Sequence, residues 1–330
     1  MPKNLNLAIV RLSAMGDIIH SASILPSLLE TLKTHYTINL SWILDSNFKE
    51  ILDDSPYIHQ LIALPLKEAI QSKNPKALFA IYKTLKTKTF DMVLDMQGLL
   101  KSALIAKSLN TESIFGFQSP KEPLTKLFYT KKIPIPYSSH ILLRNATLAF
   151  GAFDLEIPSL ESLKQCKSFL GFAPMDFPFL QKDKNILCVL ETSKPNKTYP
   201  LEKFLELAKL LNAKGYTPIF LSKNPIIIPN TANFYHAHSL GLKQIKSLVA
   251  QMDLVIGGDT GITHLAWALQ RPSITLFGAT PQERFNLNTE QNLSLSANAN
   301  ASYKKDDFSI KTLAPTAILE LTEKLLDRKM

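Results

Sequence analysis

The feature that most constrains this chain is a unit that recurs four times: a short aliphatic run, a turn of small and polar residues, then a helical stretch. It occurs at Leu7–Leu12, where Ser13–Asp17 turns the chain into Ile18–Lys33, and at Asp91–Asp95 before Leu99–Leu109. It returns at Ile186–Glu191 before Leu201–Lys214, and at Asp253–Ile256 before Gly261–Gln270. Strands that alternate with helices in this way read as βαβ units and parallel sheets. Further strands are expected at Thr37–Leu44, Ile58–Leu64, Thr217–Leu221 and Ser273–Phe277, and helices at His140–Phe150, Leu242–Gln251 and Thr312–Arg328. The Asn- and Ser-rich stretch Asn286–Ser302 reads as a surface loop.

A chain of 330 residues exceeds what one hydrophobic core usually supports. From Gly151 to Lys184 the alternation breaks into Pro, Gly and aromatic residues, which marks a linker. The expected architecture is α/β, with two doubly wound (Rossmann-like) parallel-sheet domains facing a central cleft. The domains are placed at residues 1–170 and 171–310, with a final helix in 311–330 returning toward the first. Ligands of such sheets gather at the carboxyl ends of the strands.

Composition narrows the class. With 45% hydrophobic and 20% charged residues the chain matches an ordinary globular protein. No window of about 18 apolar residues exists to span a bilayer, and the N-terminus, broken by Asn4, Asn6 and Arg11, is not a signal peptide. Two cysteines without metal-ligand spacing, Cys166 and Cys188, fit a reduced cytosolic setting. The net charge of +9 is concentrated: residues 67–132 carry 12 lysines and 5 acidic residues. Such a stretch is either a solvated face or a contact for an anionic partner.

Four post-strand turns could carry chemistry. In Gly257-Gly-Asp-Thr-Gly-Ile-Thr-His264 a strand enters a glycine turn and a helix starts at once. The N–H groups and positive dipole end of a helix N-terminus suit phosphate there. Asp259 fits a helix cap as well as a ligand contact, and His264 lies one turn in. Gly278, after the next strand, is expected at the same sheet edge. Asp17, after Ser13 and Gly16, faces the mouth of the first helix, again with capping as the alternative. Gln97 and Lys101 follow the strand ending at Asp95, and Thr192, Ser193 and Lys197 follow the first strand of the second domain. There is no D-x-D pair, HExxH or Cys/His cluster, so neither a metal nor another cofactor is expected.

The blocks RLSAMGDIIHSASILP (Arg11–Pro26), DMQGLLKS (Asp95–Ser102), KEPLTKLFYTKK (Lys121–Lys132) and GDTGITHLAWALQRPSITLFG (Gly258–Gly278) together resemble the lipopolysaccharide heptosyltransferases of glycosyltransferase family 9. Within the family they are most similar to the enzymes that add the first heptose; the DxQGLxKS block differs in those that add the second. The resemblance implies a GT-B fold and an inverting, metal-independent transfer of heptose from ADP-L-glycero-D-manno-heptose to Kdo2-lipid A. It implies Asp17 as general base, and a donor site of Thr192, Ser193, Lys197, Asp259, Thr260, Gly261, His264 and Gly278. It implies acceptor residues Ser13, Gly16, Gln97, Lys101, Lys121, His140 and Arg144. The acidic acceptor gives the lysine-rich stretch a purpose, and places a monomeric enzyme at the cytoplasmic face of the inner membrane, peripheral to its anionic surface.

Two positions depart from the pattern. The family's ribose-holding glutamate is absent from Ser222-Lys-Asn-Pro225, which predicts looser selection of ADP. Lys121 stands where relatives carry arginine, keeping charge without bidentate geometry. Other nucleotide-sugar transferases, including the second heptosyltransferase, remain as alternatives, as does a non-catalytic nucleic-acid- or membrane-binding protein. No aromatic-interleaved basic motif or basic amphipathic helix supports the last, so no nucleic-acid partner is expected.

Overall fold

A computed structural model describes residues 2–182 and 184–326. Two compact units divide the chain, Met1–Gly171 and Phe172–Met330. The first is built on strands β1 (Lys3–Val10), β2 (Tyr36–Asp45), β3 (Gln60–Leu64), β4 (Met92–Asp95), β5 (Ile114–Phe117) and β6 (Lys131–Ile133). The second is built on β7 (Asn185–Val189), β8 (Thr217–Ser222), β9 (Tyr235–His238), β10 (Leu254–Gly258), β11 (Ser273–Phe277) and β12 (Asn292–Ser296). Each unit holds one six-stranded sheet, ordered β3-β2-β1-β4-β5-β6 and β12-β11-β10-β7-β8-β9. Every strand pairing among the described residues is parallel, and helices make most of the crossovers, the connection from β8 to β9 being a loop.

The central strands explain themselves from sequence. Leu7–Val10 and Leu254–Ile256 are unbroken apolar runs, buried on both faces as parallel strands between helix layers must be. In the first core Ala8 and Val10 meet Ile43, Leu64, Leu85, Val93 and Ile114. In the second, Ile186, Cys188 and Ile256 meet Leu207, Leu211, Phe220 and Ile274. The edge strand β6 is short and begins with two exposed lysines, which blunts an open edge.

Two sequence expectations change. The helix foreseen over Ile18–Lys33 is two helices, Met15–Ala22 and Leu25–Leu32. Pro26 is the cause: its ring would collide with the Ala22 carbonyl and it has no N–H to continue the ladder. The foreseen loop Asn286–Ser302 contains β12, an edge strand held by parallel pairing to β11. Its alternation of Leu with Asn and Ser suits a half-buried edge. The terminal helix Pro315–Leu326 belongs to the second unit. Ile318 and Leu325 are buried in the second unit's core, packed on the helix Leu201–Ala213. The end of that expected helix, Asp327 and Arg328, lies outside the described residues.

Both sheets reverse direction at one place. In the first unit the chain runs from β1 outward through β2 and β3, then restarts at β4 on β1's other side. In the second, β7 is flanked by β8 and β10 in the same way. Loops leaving the two strands at such a switch point diverge and open a crevice. The turns singled out in the sequence leave β1 and β4 in one unit, and β7 and β10 in the other.

Candidate active site

At the first switch point Asp17 is the third residue of the helix Met15–Ala22, not its N-cap, which is Ala14. Its carboxylate reaches back to the Ala14 N–H at 3.4 Å, so a weak capping role survives. Its stronger partner is Arg11, whose Nη2 lies 2.9 Å from Asp17 Oδ2. Arg11 is buried, whereas the Asp17 side chain is 38% exposed. The arginine therefore anchors one oxygen while the carboxylate stays open to an incoming group. Arg11 also donates through Nη1 to the Met96 carbonyl, joining the ends of β1 and β4.

The turn after β4 completes this cluster. Asp95 is fully buried and accepts from the N–H groups of Gln97 (2.9 Å) and Gly98 (3.2 Å), and from the hydroxyls of Ser102 (3.0 Å) and Tyr129 (2.8 Å). Burial pushes its carboxyl up, against the pull of those four hydrogen bonds. Asp95 thus fixes the turn and does not face a ligand. Gln97 spends its Oε1 on the Leu12 N–H at 2.8 Å, tying this turn to the one after β1. Lys101 brings its Nζ to 3.3 Å from Ser13 Oγ, so Ser13, Gly16, Asp17, Gln97 and Lys101 share one end of the sheet.

The remaining acceptor expectations divide. Lys121 is exposed in the turn beside this cluster, where the N–H of its neighbour Glu122 donates to the Gly98 carbonyl. His140 and Arg144 are buried. His140 caps the helix Ile141–Gly151 by accepting from the Leu142 N–H at 3.3 Å. Arg144 donates to the carbonyls of Ile135, Pro136 and Ser119 and lies over the rings of Phe117 and Tyr137. Its guanidinium holds loops together.

At the second switch point the cap of the helix Gly261–Ala268 is Thr260, which frees Asp259 for side-chain partners. Asp259 Oδ2 pairs with Lys197 Nζ at 2.5 Å and Asp259 Oδ1 with His264 Nε2 at 3.1 Å. All three are largely shielded from solvent. Burial alone would raise the Asp259 carboxyl; the His264 hydrogen bond and the Lys197 charge outweigh it and hold it well below the usual carboxylate range. The loop Thr192–Lys197 reaches this place because Gly258 has no side chain. A Cβ there would come within 2.1 Å of the Lys197 carbonyl and 3.0 Å of Thr192 Cγ2. Thr192 shapes the loop by bonding Thr198 Oγ1 at 3.0 Å and the Lys194 carbonyl at 2.8 Å, and Ser193 is exposed beside it. Gly278 follows β11 at the same end of the sheet and is buried, and its missing side chain makes room for Ile310, 2.8 Å from where a Cβ would stand.

Sequence reasoning passed over two residues of the first cluster. Arg11 and Tyr129 lie inside two of the family-like blocks, but neither carries an assigned role from the sequence. The signal for Arg11 was a cation at the end of an otherwise apolar central strand, which needs a partner to be buried. Tyr129 lies 34 positions from Asp95 and left no local trace. Among the described residues no three His, Cys, Asp or Glu side chains converge as a metal site would require.

Comparisons with known proteins fall into line with this geometry. The family model described as glycosyltransferase family 9 (heptosyltransferase) matches residues 78–313. A lipopolysaccharide heptosyltransferase 1 of Campylobacter coli is 33% identical, over 97% of this chain and 99% of its own. The lipopolysaccharide heptosyltransferase 1 of Escherichia coli K12 is 26% identical over 84% and 88%. Among solved structures, the E. coli heptosyltransferase WaaC with ADP superposes with a TM-score of 0.79 at 22% identity, covering 97% of this chain and all of that one. That similarity shows a shared fold, the two-domain GT-B arrangement.

Proposed function

The chain belongs to glycosyltransferase family 9, the heptosyltransferases, and from that premise we propose that it transfers L-glycero-D-manno-heptose from ADP-heptose to the first Kdo of Kdo2-lipid A, with inversion and without a metal. The first unit supplies the acceptor residues and the base, and the second holds the donor. The observation that carries the reading is Asp17: an open carboxylate at a switch point, held by a buried arginine, in a chain aligned nearly end to end with a heptosyltransferase 1.

Asp17 takes the proton of the attacking Kdo hydroxyl as its oxygen bonds to the anomeric carbon of heptose. The bond from that carbon to the ADP phosphate breaks on the opposite face. A positioned base of this kind contributes about 10²–10⁴-fold. ADP departs with increased negative charge. Lys197 and the N–H groups at Thr260 and Gly261, where the helix dipole is positive, compensate it in place of a metal. Asp259 aims the Lys197 ammonium, and His264 holds Asp259. Lys101 and Lys121 attract the carboxylates and phosphates of the acceptor, at the cytoplasmic face of the inner membrane.

The direct experiment incubates purified enzyme with ADP-heptose and Kdo2-lipid A in EDTA and follows product by mass spectrometry. Addition of one heptose at the full rate is expected. No transfer until Mg²⁺ is restored would overturn the metal-free part, and no transfer under any condition the acceptor assignment. With no acid between Ser222 and Asp253, GDP-linked heptose is expected to serve as a measurable second donor.

A further inference from the structure

We propose that the outward faces of the helices Pro75–Lys86 and Leu100–Ser108 and of the turn Pro123–Phe128 form one surface by which the first unit lies on an anionic lipid bilayer. The inference deepens the assignment above, and rests on it for the lipid-borne acceptor. Its observations are independent of that assignment.

Of the sixteen exposed large hydrophobic side chains among the described residues, eight fall between Ile70 and Leu127. Phe79 is 66% exposed, Leu124 65% and Leu127 81%. These are not scattered. The helix Pro75–Lys86 is basic and amphipathic, contrary to the expectation that the chain has no such helix: Phe79, Tyr82, Lys83 and Lys86 recur at helical spacing on the side opposite buried Ile81 and Leu85. Phe79 and Tyr82 lie ring to ring at 6.4 Å. On Leu100–Ser108 the exposed side carries Leu100, Leu104 and Lys107, opposite Ala103 and Ala106. Leu124 and Leu127 eclipse on the 3₁₀ turn while Thr125 between them is buried. The middle helix packs against both of the other elements, so the three faces are neighbours.

Charge identifies the occupant. The three elements carry six lysines and no acidic residue. Leucine and phenylalanine tips between lysines match a bilayer interface: apolar ends enter the acyl boundary while ammonium groups stay among anionic headgroups. A nucleic acid would use the lysines but gain nothing from Leu124 and Leu127. A second copy meeting this face about a two-fold axis would set lysines against lysines.

The test measures sedimentation with vesicles of phosphatidylglycerol and phosphatidylcholine that contain no acceptor, for wild type and for Phe79→Glu/Leu127→Glu. Both side chains are exposed, so the variant is expected to unfold at the wild-type temperature. Wild type is expected to bind these vesicles and to bind pure phosphatidylcholine more weakly. The double variant is expected to lose about tenfold or more in partitioning. Its kcat/KM on a deacylated, water-soluble acceptor should match wild type. Equal binding by both proteins, or no binding by wild type, would overturn the proposal. So would a wild-type dimer that the variant abolishes, which would make the face a contact between copies. Failure of transfer to the soluble acceptor by both proteins would refute the acceptor assignment and leave the vesicle result standing.

Discussion

The Arg11 guanidinium joins two loops with a single side chain: Nη2 lies 2.9 Å from Asp17 Oδ2, and Nη1 donates to the Met96 carbonyl. A planar fork can serve both partners at once, whereas an ammonium is a point charge. Arg11→Lys therefore keeps the charge and loses the geometry. The variant is expected to fold and bind ADP normally while kcat falls about ten- to a hundredfold, the usual effect of a misaligned catalytic group. Steady-state kinetics with both substrates varied would check this. A wild-type kcat would mean that Arg11 only supports the fold.

The second cluster has a pH signature. The folded carboxyl of Asp259 sits below its unfolded value, which is about 4. Its contribution to stability is thus complete above that value and is lost as pH falls through the folded one. Asp259→Asn breaks a buried pair and should cost about 3 kcal/mol at pH 7. The gap to wild type should narrow as pH falls below about 4, where the unfolded chain takes up a proton that the folded carboxylate still resists. Denaturant unfolding at pH 7 and pH 3 measures both. A gap that stays constant would show that the Lys197 and His264 contacts contribute no charge-dependent stability.

Lys101 and Lys121 are exposed, and Lys101 reaches Ser13 beside Asp17. Alanine at either position is expected to raise the KM for acceptor several-fold and leave the KM for ADP-heptose unchanged. The effect should shrink as salt rises, because exposed charges are screened beyond about 10 Å at 0.1 M. Equal effects on both substrates would contradict an acceptor role.

How much could be read beforehand follows from how local each signal was. The strand–turn–helix units are written in consecutive residues, so the two doubly wound sheets, the Asp17 and Asp259 turns and the lysine-rich stretch were legible. The side-chain partnerships were not. Nothing near Arg144 announces that three carbonyls and two rings will take its guanidinium, and nothing near Gly278 announces Ile310. Short edge strands such as β6 and β12 were missed because pairing with a neighbour, not their own composition, makes them strands. Both carboxylates were open to a reading as helix caps. The structure puts Ala14 and Thr260 at the cap positions and leaves Asp17 only its weak bond from the Ala14 N–H.

The central claim is that Asp17 takes the proton, and Asp17→Asn tests it most directly. Asparagine keeps an oxygen for the Ala14 N–H and for Arg11, so the local fold has little reason to change. It cannot act as a base. At saturating donor and acceptor, kcat should fall by roughly 10²–10⁴, with ADP affinity and unfolding temperature unchanged. A variant that keeps its kcat within a few-fold of wild type would contradict the assignment.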